Sequence, residues 1–405
     1  MKILSVSLNY YPEKTSTGKF QGEMIAWMAS RGHQVRAIAA PPYYPEWKVA
    51  PGYSGWRYMR ENVEGVLVFR VPLYVPSAPG GARRLLHLGS FAVTALPVIF
   101  WQALKWRPDV ILTTAPPLSV APPVLLACWI SGARSHLHVQ DFEVEAAFHL
   151  GILKHPMLFS TASRIERVLL RSFTKVSTIS PRMRERLISK GVKIERAVLV
   201  PNWAGNEDFD PVRGPGNWRE QLKADRGTIL AVYAGNMGRK QGLETIVDAA
   251  RLLQDKPSIR FVFCGDGAGR EQLVECAAGL TNITFLPVQP LEEFAHLMIA
   301  ADIHLLPQRA EAADLVMPSK LGNIFASGRP VVAGTAVNTQ LYDAVQGCGI
   351  AVEPDNSAEF AAAIVTLAEN KELRTSMGEA GRCKALSEWN RDRILERMET
   401  SLNGA

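Results

Sequence analysis

Cysteine is scarce in this chain of 405 residues. The five present (Cys128, Cys264, Cys276, Cys348 and Cys383) are an odd number with no close pair. That excludes a Cys-x-x-Cys metal or redox site and argues against a disulfide framework, so a reducing compartment is expected. Glycine and proline are unclustered and no repeat period appears, which excludes collagen-like, low-complexity and solenoid chains. No Gly-Lys-Ser/Thr phosphate loop is present. Metal-ligand spacing is also missing: Asp208-Phe209-Asp210 has the form of an Asp-x-Asp pair but falls in a polar linker, so no metal and no cofactor are expected. Positive charge comes without any recognised nucleic-acid module, so nucleic acid is not the expected partner. The first residues, Met-Lys-Ile-Leu-Ser-Val-Ser-Leu, lack the apolar region and cleavage site of a signal peptide, and a cytoplasmic location is expected.

Charge is unevenly distributed. Residues 1–200 hold 25 Lys and Arg against 12 Asp and Glu, or +13; residues 201–405 hold 20 against 27, or −7. A basic half joined to an acidic half implies that one half alone meets something anionic, an anionic membrane surface being a natural candidate. Residues 85–104 contain no Asp, Glu, Lys or Arg, with Arg83-Arg84 before them and Lys105 after. The run is long enough to span a bilayer, yet His87, Gly89, Ser90, Thr94, Pro97 and Gln102 dilute it. A helix lying in the membrane interface and a helix packed in the core are both open readings.

Apolar runs alternate with helical periods along the whole chain. Strands are expected at 2–8, 34–39, 66–70, 110–114, 135–139, 175–179 and 197–200, and again at 229–234, 260–264, 283–286, 303–306 and 331–333. Helices are expected at 18–30, 243–253, 270–278, 291–299, 319–327, 358–368 and 373–384. The alternation predicts an α/β fold of two doubly wound, Rossmann-like parallel-sheet domains facing across a cleft, residues 1–203 and 204–385. Ligands of such sheets sit outside the carboxyl ends of the strands.

Two strand-to-helix segments suit phosphate. Pro318, Ser319 and Lys320 open a short helix whose unpaired N–H groups and lysine would meet an anion, with Asp314 upstream and Asn323 one turn on. Gly235-Asn236-Met237-Gly238-Arg239-Lys240 follows the strand at 229–234, its glycines permitting close backbone approach while Arg239 and Lys240 add charge. A nucleoside diphosphate satisfies both. Gly265, in Cys264-Gly-Asp-Gly-Ala-Gly269, lets the next loop turn. In the first half, Asn9-Tyr-Tyr-Pro12-Glu13 and Ser16-Thr17-Gly18-Lys19 leave the first strand toward phosphates or sugar. His138-Val-Gln140-Asp141 leaves another strand; Asp141 would orient a hydroxyl or stabilise developing positive charge, and Glu145 would share its face if a helix began at once.

Ala40-Pro-Pro-Tyr-Tyr-Pro-Glu-Trp47, Arg84-Leu-Leu-His-Leu-Gly-Ser-Phe91, His138-Val-Gln-Asp141, Pro318-Ser-Lys320 and Ala326-Ser-Gly-Arg-Pro330 together resemble the retaining GT-B glycosyltransferases of family 4, in the colanic-acid-type exopolysaccharide fucosyltransferase branch. The resemblance implies a GDP- or UDP-linked sugar donor held by the second domain, metal-independent transfer with retention, and a polyisoprenoid-linked saccharide acceptor. It also implies peripheral attachment to the inner face of the cell membrane and a C-terminal helix, within 386–405, packing back on the first domain. The chain departs from the wider family in three places. The first cradle reads Gly235-Asn236 and Gln241-Gly242 where many members have Gly-Arg and Lys-Gly. The paired glutamates are replaced by Leu315, beside Asp314, and Asn323. Gln140 stands where a histidine precedes Asp141. A nucleotide-sugar epimerase and a non-enzymatic membrane- or carbohydrate-binding protein are the competing classes.

Overall fold

A computed structural model describes residues 1–13, 16–44, 46–77, 81–149, 155–238, 241–309 and 320–404. Internal contacts divide the chain into two compact units: unit 1 comprises 1–202 with 392–405, and unit 2 comprises 203–391.

Unit 1 is built on β1 (Lys2–Ser7), β2 (Gln34–Ala39), β3 (Met59–Val63), β4 (Val66–Arg70), β5 (Val110–Ala115), β6 (Arg134–Val139), β7 (Lys175–Thr178) and β8 (Ala197–Leu199). The strands lie in the order β3-β4-β2-β1-β5-β6-β7-β8. All pairings are parallel except β3 with β4. Continuous apolar strands such as Val-Ile-Leu-Thr-Thr-Ala in β5 are buried along their whole length because helices cover both faces. β3 was not expected. It reads Met-Arg-Glu-Asn-Val and alternates in exposure, as an edge strand does. Its hairpin turn, Glu64-Gly65, has φ of 50° and 78°, the left-handed pair of a two-residue turn.

The helix at Gly81–Lys105 sends Leu88, Phe91, Ala95, Ile99 and Ala103 into the core of unit 1. The last helix, Arg391–Asn403, belongs to this unit from Asp392 onward. Its Ile394, Leu395, Met398 and Leu402 are buried, Trp27 Nε1 donates to Asp392 Oδ1 at 3.2 Å, and His33 Nε2 lies 2.6 Å from Glu399 Oε1.

Unit 2 holds β9 (Ile229–Ala234), β10 (Ile259–Cys264), β11 (Ile283–Leu286), β12 (Ile303–Leu306), β13 (Val331–Gly334) and β14 (Gly349–Val352). Their order, β11-β10-β9-β12-β13-β14, is all parallel and is the 3-2-1-4-5-6 order of a dinucleotide-type sheet. Without β3, unit 1 follows the same order with one strand added. β14 escaped the sequence reading because it is four residues long and opens on a glycine. That glycine is needed: a Cβ on Gly349 would lie 2.1 Å from the Val331 carbonyl oxygen. In each sheet the strand order reverses once, between β1 and β5 and between β9 and β12, where ligands of this architecture collect.

Candidate active site

The reversal point of unit 2 is built from glycines and one lysine. β9 ends at Ala234, and Gly235 follows with φ of 132°. Its N–H donates to the Cys264 carbonyl at 2.8 Å, which locks the ends of β9 and β10 together. A Cβ on Gly235 would lie 2.4 Å from Cε and Nζ of Lys320, and a residue carrying one would have to adopt a φ that side-chain-bearing residues rarely reach, so glycine keeps the lysine where it is. Gly265 packs beneath in turn: its Cβ would lie 2.1 Å from the Gly235 carbonyl oxygen, at φ of 142°. Asn236 is exposed at the tip, and its carbonyl accepts the Tyr233 hydroxyl at 2.5 Å.

Lys320 begins the described part of the helix Lys320–Ala326. Nζ donates to the Tyr233 hydroxyl at 2.8 Å and lies 4.3 Å from the centre of that ring. Among the described residues no carboxylate pairs with it. Burial without a counter-charge brings the ammonium down to about 8 from its usual 10.5. A cavity of about 30 Å³, room for roughly one water, lies against Lys320, Ala234, His304 and Asn323. Asn323 accepts the Gly205 N–H at Oδ1, 3.1 Å away, and so pins the start of unit 2 to this helix. Sequence reasoning singled out Gly235, Asn236, Gly265, Lys320 and Asn323, and the first four meet around the end of β9. It missed Tyr233, whose only signal was a tyrosine at the carboxyl end of an otherwise aliphatic strand. Arg239, Lys240, Asp314, Pro318 and Ser319 lie outside the described residues.

The reversal point of unit 1 is wired differently. Glu13 is 6% exposed. Its Oε1 accepts the N–H groups of Tyr43 and Tyr44 at 2.9 and 3.0 Å, and its Oε2 accepts Asn9 Nδ2 at 2.9 Å. Desolvation pushes its carboxyl above the usual range despite these bonds. Gly18 is required against it, since a Cβ there would come within 2.9 Å of the Glu13 Cβ. Arg70 at the end of β4 is 1% exposed; it bonds Glu61 Oε1 at 2.5 Å, the Ala40 carbonyl at 2.9 Å and the Tyr11 carbonyl. Lys19 faces Glu23 one turn along its own helix, 3.8 Å away.

After β6, Gln140 Nε2 donates to His138 Nε2 at 2.8 Å and exchanges amide bonds with Asn202 at 3.1 Å. An amide nitrogen only donates, so His138 Nε2 accepts, and its Nδ1–H donates to Ser177 Oγ at 2.9 Å. Burial keeps this histidine neutral, its pKa lowered to about 4. The helix Glu143–His149 begins two residues beyond Asp141, so Asp141 precedes the helix that carries Glu145. Glu145 is held by Arg186 Nη2 and Lys190 Nζ, each at 2.9 Å, and Lys190 also binds Glu166. Of the Asp-x-Asp pair, Asp210 caps Val212 N with Oδ1 at 2.9 Å and binds Arg382 with Oδ2 at 2.5 Å. Among the described residues no three His, Cys, Asp or Glu side chains are grouped as metal ligands.

Residues 17–203 match the glycosyl transferase 4-like domain, and residues 228–370 match the glycosyl transferases group 1 family. The chain is 42% identical over 374 residues to the colanic acid biosynthesis glycosyl transferase WcaI of Escherichia coli (strain K12), covering 90% of this chain and 91% of that one. Similar solved structures include sucrose-phosphate synthase from Thermosynechococcus elongatus (TM-score 0.72, 17% identity, 100% and 98% of the two chains). HepE from Anabaena, solved with UDP, aligns with a TM-score of 0.69 at 17% identity over all of both chains.

Proposed function

The chain belongs to the glycosyltransferases that join a glycosyl transferase 4-like domain to a group 1 domain, and on that premise we propose that it moves a sugar, fucose for preference, from a nucleoside diphosphate onto a polyisoprenoid-linked saccharide in exopolysaccharide assembly. The colanic-acid relative favours that pathway type, and the UDP complex of the Anabaena structure favours a nucleotide-linked donor. The carrying observation is Lys320: a partly buried ammonium that, among the described residues, meets a neutral phenol and no carboxylate, at the strand-order reversal of unit 2.

A diphosphate arriving there supplies the missing counter-charge. As the glycosidic C–O bond breaks, negative charge grows on the leaving phosphate oxygen, and Lys320 stabilises it most when the charge is largest. Transfer proceeds with retention: the acceptor hydroxyl attacks from the face the diphosphate leaves, and a departing phosphate oxygen takes its proton. No strong protein base and no metal are then required. Unit 1 takes the acceptor, with Asp141 orienting a hydroxyl and Gln140 held in place by His138 and Asn202.

The test is a thermal-shift titration with GDP, UDP and ADP, followed by product analysis with the corresponding sugars and a polyprenyl diphosphate-linked saccharide. One diphosphate raises the melting temperature by mass action, and its sugar is transferred with the anomeric configuration kept. No shift with any of the three, or an inverted product, overturns the reading.

A further inference from the structure

Three helices of unit 1 lie side by side on one face: Gly81–Lys105, Ala121–Ser131 and Pro156–Ser172, the first touching the second and the second the third. Each bridges strands of the same parallel sheet and buries its inner side in the core. Their outer sides do not look like a solvated surface. On the first helix, Leu86, Val93, Leu96 and Leu104 are exposed, Val93 to 71%, and the stretch 85–104 presents no charged residue to balance them. The second exposes Leu126, Trp129 and Ile130, Trp129 to 82%. A soluble helix shows polar residues opposite its buried stripe; a helix apolar all round belongs in a core or against lipid. The third completes the pattern. Its outer side interleaves Met157, Leu158, Ile165 and Val168 with Arg164 and Arg167, apolar and cationic groups on one face. Arg83, Arg84 and Lys105 stand exposed at the two ends of the first helix.

We infer that this three-helix face is a docking surface for an anionic lipid bilayer, entered flat to the depth of the headgroups. Among the described residues one helical stretch, Arg83–Lys105, is long and apolar enough to cross a membrane, with a mean hydropathy of 1.5 in its best window. It does not cross, because Phe91, Ala95 and Ile99 on its inner side are 0% exposed in the core of unit 1. Large side chains standing outside a folded sheet, ringed by arginine and lysine, are the composition of an interfacial helix. The net charge of +13 on residues 1–200 supplies the long-range attraction, and each basic group near an anionic leaflet adds to it. The inference deepens the proposed acceptor: a polyisoprenoid-linked saccharide is met only at such a surface, and the surface has its own test.

The test is flotation of the purified full chain with phosphatidylcholine vesicles, with and without phosphatidylglycerol, at low and high salt. The wild-type chain floats with the anionic vesicles at low salt, and salt or neutral lipid weakens this by about tenfold. Trp129 fluorescence moves to the blue on binding, and Trp129→Ser removes that component. Arg164→Glu with Arg167→Glu weakens anionic flotation by at least about tenfold, while Leu126→Glu weakens it on both lipids. Circular dichroism melts show that each variant is folded, and transfer to a water-soluble acceptor analogue reports the catalytic reading separately. Flotation that fails while transfer persists overturns this inference alone; transfer that fails while flotation persists overturns the proposed function alone. A salt-stable dimer in sedimentation that Leu126→Glu dissolves, with no flotation, assigns the face to a second copy of this chain and overturns the lipid proposal.

Discussion

At the carboxyl ends of β1, β2 and β4, Glu13 and Arg70 are buried and each is met by several partners; at the end of β9, Lys320 is half-buried and, among the described residues, bonds only the neutral Tyr233 hydroxyl. The two sheets share a strand order, so topology did not create the difference. Unit 1 has used its charged groups to fasten three loops to one another. Unit 2 has used glycines, Gly235 and Gly265 foremost, to bring backbone and ammonium close together, and no described residue there supplies an anion. A charged group whose partners are already in place holds shape; one bonded only to a neutral hydroxyl still has capacity for an anion. That contrast is the basis on which the proposed function assigns the donor to unit 2.

Removing the lysine tests the contrast most severely. Lys320→Met lowers the transfer rate by about a hundredfold or more, while the melting temperature holds or rises, since an unpaired charge leaves a partly buried site. Kinetics and melts on one preparation check this; a melt that falls in step with the rate breaks the contrast. Next, Gly265→Ala places a Cβ against the Gly235 carbonyl at a φ few residues tolerate, for a loss of about 3 kcal/mol in urea unfolding. Glu13→Ala in unit 1 leaves the N–H groups of Tyr43 and Tyr44 unmatched and costs about 2 kcal/mol, with Glu13→Gln recovering most of it through its amide oxygen.

The smallest effect is on pH. Lysine depressed to about 8 is neutral in the folded protein over a range where the unfolded chain still holds its proton. The unliganded protein therefore gains stability as pH rises from about 8 toward 10.5, the opposite of a paired lysine. Diphosphate affinity runs the other way and falls as pH passes through about 8. Calorimetric titration at three pH values sharpens the assignment, and a flat profile contradicts it.

Much of this was readable in the chain itself, for physical reasons that differ by element. Strands such as Val66–Arg70 and Ile229–Ala234 are buried on both faces and declare themselves as short apolar runs. β3 and β14 do not, one being polar at an edge and the other brief and glycine-led. Lys320 stood out because a cation at the start of a short helix has few structural uses. Its partner Tyr233 did not, because one aromatic in a buried strand is the commonest kind of core residue. Glu13 reads in the sequence only as part of a loop, since its bonds to Tyr43 and Tyr44 join positions 30 and 31 residues apart, a pairing that no local pattern announces. Gln140 stands where a histidine is expected; the structure places its amide between His138 and Asn202.

The helix Arg391–Asn403 follows unit 2 in the chain yet completes unit 1, its Ile394, Leu395 and Met398 filling that unit's core. During synthesis the middle of the polypeptide therefore has all its own parts before the beginning does. Without that helix, the ground beside Trp27 and His33 that its apolar side covers would stand open to water, so closing the first unit waits on the last stretch to be made.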